Sequence, residues 1–259
     1  MRVRTWAAAI AVALAGAACE NPLGRQYEYE EQLYLRVDGA ATVVIDTSIA
    51  ALVALRGAPL DPSPSTRTDR AEIRRVYESG GCAVDNVGQP WTRKGRRFVQ
   101  VRIETTDVRT LSTCTLLNWS SYSLEPVGEL LRYRQTVGRP AAGDPGAVNW
   151  DGQELVAFKA HLPSRILSHN VKRLSDGQNG TVDRGNILTW EQRLVDRRAG
   201  QPIEMDVTME SRSILYTTLW LFAGAFAAAV ITLILIVWWT MRRGKKSKAF
   251  TTKTTKITK

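Results

Sequence analysis

Apolar residues recur at every second position in several short stretches of this chain, and one long unbroken apolar run lies near its C-terminal end. Leu33, Leu35 and Val37 share one face, Asp38-Gly39 supplies a turn, and a second strand follows over 42–46, which predicts a hairpin. Val99, Val101 and Ile103 alternate with Gln100, Arg102 and Glu104. Leu131, Tyr133, Gln135 and Val137 do the same after a turn near Pro126 to Gly128, and so do Ile203, Met205, Val207 and Met209. Each of these patterns has the period of a strand with one buried face.

Helical signals are fewer. Ser48 is placed to cap a helix over 49–55. After the loop Asp61-Pro62-Ser63-Pro64, Thr68 or Asp69 opens a helix through Ser79. Ile73, Val76 and Tyr77 form its inner face, and Gly80-Gly81 ends it. Thr106-Asp107 opens a short turn towards Leu111. A strand hairpin, then helices, then many strands predicts an α+β fold with a mostly antiparallel sheet. The Pro-, Gly- and Ala-rich segment 139–151 is the best internal boundary, so 19–213 reads as one domain or two small ones.

The apolar run occupies 214–241 and contains no charged residue. Thirteen Leu, Ile, Phe or Val residues lie between Ile214 and Val237, worth roughly 4–8 kcal/mol of favourable insertion near the centre of a span. Trp220 near one end and Trp238-Trp239 near the other mark headgroup levels. Arg242, Arg243, Lys245, Lys246 and Lys248 follow as a membrane-surface basic cluster, which places the C-terminus in the cytoplasm. The tail over 242–259, with its Thr-Thr-Lys repeats, lacks a core-forming pattern and reads as disordered.

The N-terminus carries a shorter signal. Arg2 and Arg4 precede an Ala-rich apolar stretch over 6–18, about the length of a signal-peptide core and too short to span comfortably. It ends in Leu14-Ala15-Gly16-Ala17-Ala18-Cys19, which resembles a bacterial lipobox with Cys19 as the lipidated residue. Ala15-Gly16-Ala17 also offers an ordinary cleavage site. If Cys19 carries lipid, Cys82 and Cys114 remain as a pair that an oxidising compartment can join, the alternative being two small buried thiols.

Charge then sorts by position. The chain has 35 basic and 25 acidic residues, a formal net charge of +10. The two basic residues before Cys19 and the eight after Met241 account for the whole excess. The exported part is formally neutral, which removes a nucleic-acid reading and leaves the charge as topology signal. The internal cluster Arg93-Lys94-Gly95-Arg96-Arg97, between Trp91 and Phe98, reads as a charged turn solvated at a hairpin tip. Its functional alternative is binding of anionic headgroups.

Residues for chemistry are sparse. No phosphate-cradling glycine loop, metal-binding His-Glu-x-x-His or nucleophile elbow occurs, and no cofactor or metal is implied. His161 in a strand and His169 in a loop read as structural, and Glu28, Glu30 and Glu31 as a solvated acidic edge. Trp91, Trp119, Trp150 and Trp190 are core residues or the lining of an apolar groove. Asn118-Trp119-Ser120 and Asn179-Gly180-Thr181 are glycosylation sequons that matter only in a eukaryotic secretory pathway.

The lipobox-like start, the strand–helix–strand exported part and the C-terminal anchor occur together with two further segments. These are Ala160-His161-Leu162-Pro163-Ser164-Arg165-Ile166-Leu167-Ser168 and Gly185-Asn186-Ile187-Leu188-Thr189-Trp190. In that arrangement the chain resembles the LppM-type bacterial envelope lipoproteins, with Ser164 where their Leu-Pro-Gly-like turn has glycine. The resemblance implies an envelope protein handling lipids or other components at the membrane surface, and no catalytic residues. The reading is a non-enzymatic protein of the bacterial inner membrane. Most of it is extracytoplasmic, and it binds a lipid-like apolar ligand or a protein partner. An envelope hydrolase or accessory factor is the alternative.

Overall fold

The computed structural model describes residues 25–172 and 186–254, the side chains of 215–217 and 243–254 aside. The signal peptide, Cys19, the Asn179 sequon, and the side chains of Arg243, Lys245, Lys246 and Lys248 lie outside the described residues. The chain divides into two compact units, the first ending at Glu210 and the second beginning at Ser211.

In the first unit the alternating stretches are strands. β1 (Tyr27–Leu35) and β2 (Ala41–Ser48) form the expected hairpin, with Gly39 at φ 89° in its turn. A short β3 (Val84–Val87) and β4 (Trp91–Arg93) precede the long β5 (Arg96–Thr105). β6 (Ser120–Val127) and β7 (Leu130–Val137) make a second hairpin. β8 (Leu155–His161), β9 (Ser164–His169), β10 (Ile187–Arg193) and β11 (Ile203–Ser213) follow. His169 is therefore the last residue of a strand rather than part of a loop.

The strands assemble into two sheets. Sheet A has the order β10-β8-β1-β2-β5-β3, with β4 pairing β5 beside β3, and sheet B has the order β6-β7-β11-β9. In sheet A only β1 and β8 run parallel. Register aligns the inner faces into rungs. Tyr29 lies opposite Thr47 and Val156, and Leu33 lies opposite Val43 and Ala160. Ile45 in turn lies opposite Val101, and Val43 opposite Ile103. Tyr133, Val137, Met205 and Val207 of sheet B join the same buried cluster, so one core lies between the sheets, as an α+β fold requires.

The first three helical elements sit where the sequence placed them, and a fourth, short one was not expected. α1 (Ile49–Arg56) is capped by the Ser48 hydroxyl, which accepts from the Ala51 amide at 3.0 Å, and Gly57 ends it in the left-handed region. All eight of its residues are buried, the expected fate of a helix apolar on every side. α2 (Arg70–Ser79) is capped by Asp69 and buries Ile73 and Tyr77. A 3-10 helix (Val108–Thr113) begins at Asp107, and α3 (Leu194–Arg198) is a short turn after β10. Cys82 and Cys114 are bonded, with Cα atoms 4.7 Å apart, joining the end of α2 to the end of the 3-10 helix.

The segment 139–151 does not divide the unit. The Ala141 and Gly143 amides donate to the Leu55 and Ala54 carbonyls, satisfying the open C-terminal turn of α1. A Cβ on Gly143 would stand 2.2 Å from the Val53 carbonyl oxygen, so only glycine fits this approach. The Pro/Gly/Ala composition that suggested a linker is what lets the chain lie flat on a helix end.

The second unit contains α4 (Ile214–Thr254). Within it, 25 residues from Thr218 to Arg242, with mean hydropathy 2.5, are long and apolar enough to cross a membrane. The Arg242 guanidinium stacks on the Trp238 ring at 4.8 Å. The helix continues to Thr254, into the basic segment that follows the apolar run. Lys and Arg are good helix formers, and the composition that excludes a core does not oppose a helix.

Candidate functional site

The charged hairpin β4–β5 turns at Lys94-Gly95, with φ 49° and 72° at the two positions. These are the positive angles of a two-residue turn matched to strand twist. The turn is as expected; the solvation is not. Arg96 is 6% exposed and bonds Glu28 at 2.7 Å, with Asn149 accepting from the same guanidinium. Arg93 lies 4.1 Å from the centre of the Phe98 ring and donates to the Tyr27 carbonyl. Arg97 turns to the other face, donating to the Thr68 hydroxyl at 2.8 Å and to the Asp61 carbonyl. A run of basic residues on a strand sends alternate side chains to opposite faces, and here both faces supply acceptors.

The acidic edge is likewise no solvated face. Glu28 is 3% exposed, held by Arg96 and by the Trp150 indole N–H at 3.3 Å. Glu30 pairs with Lys159. Glu31 is 2% exposed and points between the sheets, where the Tyr29 hydroxyl, the Tyr122 hydroxyl and the Gln135 amide donate to it at 3.0–3.1 Å. Burial pushes its carboxyl above the usual range against those three bonds. Glu154 accepts from the Asp151 and Gly152 amides. Glu28 and Glu154 border a small pocket of about 60 Å³ with Arg96 between them, so each has a cation or amide partner there.

The two histidines differ: His169 Nδ1 is buried with no hydrogen-bond partner among the described residues, whereas His161 is held on both sides. His161 stacks on Tyr34 with ring centres 4.0 Å apart and lies 3.3 Å from the Gln32 side-chain oxygen. Burial, then the Lys159 charge, lowers its pKa. Among the described residues no three His, Cys, Asp or Glu side chains converge to hold a metal ion.

Trp119 and Trp190 are core, and Trp150 is partly buried against it. Trp119 lies beneath two buried arginines, Arg56 at 4.3 Å and Arg197 at 5.4 Å from its ring. Trp91 differs: it is 37% exposed, stacked on Phe98 at 5.7 Å. It borders a cleft of about 820 Å³ between the loop at 64–70 and the segment 89–92. Arg67, Arg70 and Arg97 line the cleft, together with Asp69, Trp91 and Thr92. Arg70 is fixed by its Nε bond to the Val87 carbonyl at 2.8 Å. Arg97 retains a buried Nε with no acceptor, and its burial lowers its pKa despite Asp61 and Glu72 nearby. The cleft is polar and basic rather than the apolar groove that the tryptophans suggested. Arg67 and Arg70 carried no sequence signal beyond their place at the start of a helix.

Fold and site together define a disulfide-bonded, two-sheet α+β unit with a basic edge cleft, followed by a helix able to cross a membrane. Among solved structures the chain is similar to the folded domain of LppM from Mycobacterium tuberculosis, solved by NMR. The two are 12% identical over 74% of this chain and 95% of that one, with a TM-score of 0.38. The resemblance is weak and at the level of the fold, and it transfers no residue role. No protein-family model and no curated protein matches the chain.

Proposed function

We propose that this is a membrane-anchored, non-enzymatic binding protein of the bacterial envelope. Its globular unit lies outside the inner membrane, its C-terminus lies in the cytoplasm, and it holds a protein partner in the cleft beside Trp91. The cleft carries the reading. It is roomy, lies at the edge of a sheet, and offers one exposed indole and three guanidiniums. An apolar ligand gains little from such a lining, whereas exposed Trp and Arg are the side chains most often central to protein interfaces. The balanced charge of the exported part and the basic flank of α4 support the orientation.

A photoreactive residue at position 92, in the full-length protein in living cells, tests the proposal. The expected result is one discrete protein adduct that fades when Arg67→Glu is added. The control is the same residue at exposed position 127 on sheet B, which gives no such adduct. Lipid adducts from position 92, or identical patterns from 92 and 127, overturn the proposal.

A further inference from the structure

We infer that the segment held in this cleft is an extended, acidic stretch of the partner chain, which pairs with the free edge of β4 at Thr92 and meets Arg67, Arg70 and Arg97 with its carboxylates. The inference rests on the cleft being the binding site.

The hairpin register leaves one edge of β4 free. Trp91 pairs with Phe98, Thr92 with Arg97 and Arg93 with Arg96 across a two-residue turn. In such a hairpin the residues flanking the turn exchange both backbone bonds, and the bonding pattern alternates from there. Arg93 and Trp91 therefore spend their N–H and C=O groups on β5. Thr92 turns both of its groups away from β5, towards the open edge. Among the described residues β4 pairs only with β5, and there this donor and this acceptor, at a residue of the cleft lining, are unpaired within the sheet. Pro90, also in the lining, has no N–H to offer. The free edge is thus one rung long: enough to fix the register of a guest strand, too short to invite edge-to-edge aggregation.

The lining holds three arginines against the single Asp69. Asp69 is occupied in capping α2, where it accepts from the Ala71 amide at 2.9 Å. Arg97 adds its charge to the wall while its Nη atoms hold Thr68 and Asp61 and its Nε is buried. Arg70 uses only Nε on Val87, and Arg67 has no hydrogen bond or ion pair among the described residues. An extended chain projects alternate side chains to opposite sides. Acidic groups at every second position would therefore fall on the arginine side, with the intervening residues towards Trp91.

The test uses full-length protein in nanodiscs of zwitterionic lipid and a fluorescent peptide alternating glutamate and valine. A lysine–valine peptide and vesicles of anionic phosphatidylglycerol serve as the competing probes. The glutamate–valine peptide is expected to bind, with affinity falling about tenfold in Arg67→Glu and weakening as salt rises. Thr92→Pro removes the outward N–H without touching the β5 ladder, and is expected to bind several-fold more weakly than Thr92→Val. Thermal melts of the variants verify that each is folded. Equal affinity for the lysine–valine peptide, equal affinity in Thr92→Pro and Thr92→Val, or capture of the vesicles in place of the peptide overturns the inference. If no peptide binds while the position-92 adduct persists in cells, this inference fails and the binding site stands. If the adduct is absent as well, both fail.

Discussion

Replacing Arg96 with leucine in the full-length protein in detergent lowers the stability of the globular unit by about 3–5 kcal/mol, read as a shift in the urea midpoint. The size follows from what the substitution strands. Arg96 is the cation for Glu28 at 2.7 Å and stands 3.8 Å from Glu154, all three being buried. Leucine fills the volume but leaves Glu28 with only the Trp150 indole at 3.3 Å, and it takes the donors from the Asn149 carbonyl and side chain. A buried carboxylate that loses its partner costs far more than the pair itself contributed. Replacing Glu28 and Arg96 together by glutamine and leucine is expected to recover part of the loss, because no unpaired charge then remains at position 28. A loss below about 1 kcal/mol in Arg96→Leu, the range of an exposed ion pair, would show that Arg96 is solvated at a hairpin tip after all.

Loss of the Cys82–Cys114 bond comes next in size. The bridge closes a loop of sequence separation 32, worth about 3–4 kcal/mol in the chain-entropy account. Its two ends belong to elements with little regular structure of their own. α2 is ten residues long and mostly polar, and the 3-10 helix has six residues. The Thr115 amide donates to the Gly80 carbonyl at 2.8 Å beside the bridge, so the bond and this contact secure the same corner. Cys82→Ala with Cys114→Ala should lower the melting temperature and raise the denaturant m-value, as a less restricted unfolded chain exposes more surface. The same variant in a reducing buffer should show no further change, whereas the parent protein should fall to its level. Parent and variant melting together in oxidising buffer would mean that the two thiols are not joined.

Much of this fold was readable from alternation and capping alone. Val99, Val101 and Ile103 face the core because strand period and burial coincide, and Ser48 and Asp69 cap because a short polar side chain just before a helix can accept from its first free amides. The two-sheet partition was not readable. Nothing local in Leu155–His161 says that it runs parallel beside β1, a pairing across more than a hundred residues. The site failed for a related reason. A strand reading of Arg93 to Arg97 gives the turn, but the partners of Arg96 and Arg97 come from Glu28, Asn149, Asp61 and Thr68, brought there only by the tertiary fold. Glu31 was misplaced for the same cause: its acceptor role depends on Tyr122 and Gln135 from the other sheet. The 139–151 segment shows the reverse error, since a linker-like composition also suits a chain that must pass within reach of a helix end.

The central claim is that the cleft beside Trp91 is occupied by a partner where the protein works, and hydroxyl-radical footprinting of intact membranes tests it most directly. Trp119 and Trp190 are buried and serve as internal references, while Trp91 is accessible in the free protein. The predicted result is that Trp91 oxidises several-fold more slowly in membranes than in purified protein, with the two reference tryptophans unchanged. Oxidation of Trp91 at the same rate in both preparations would contradict it.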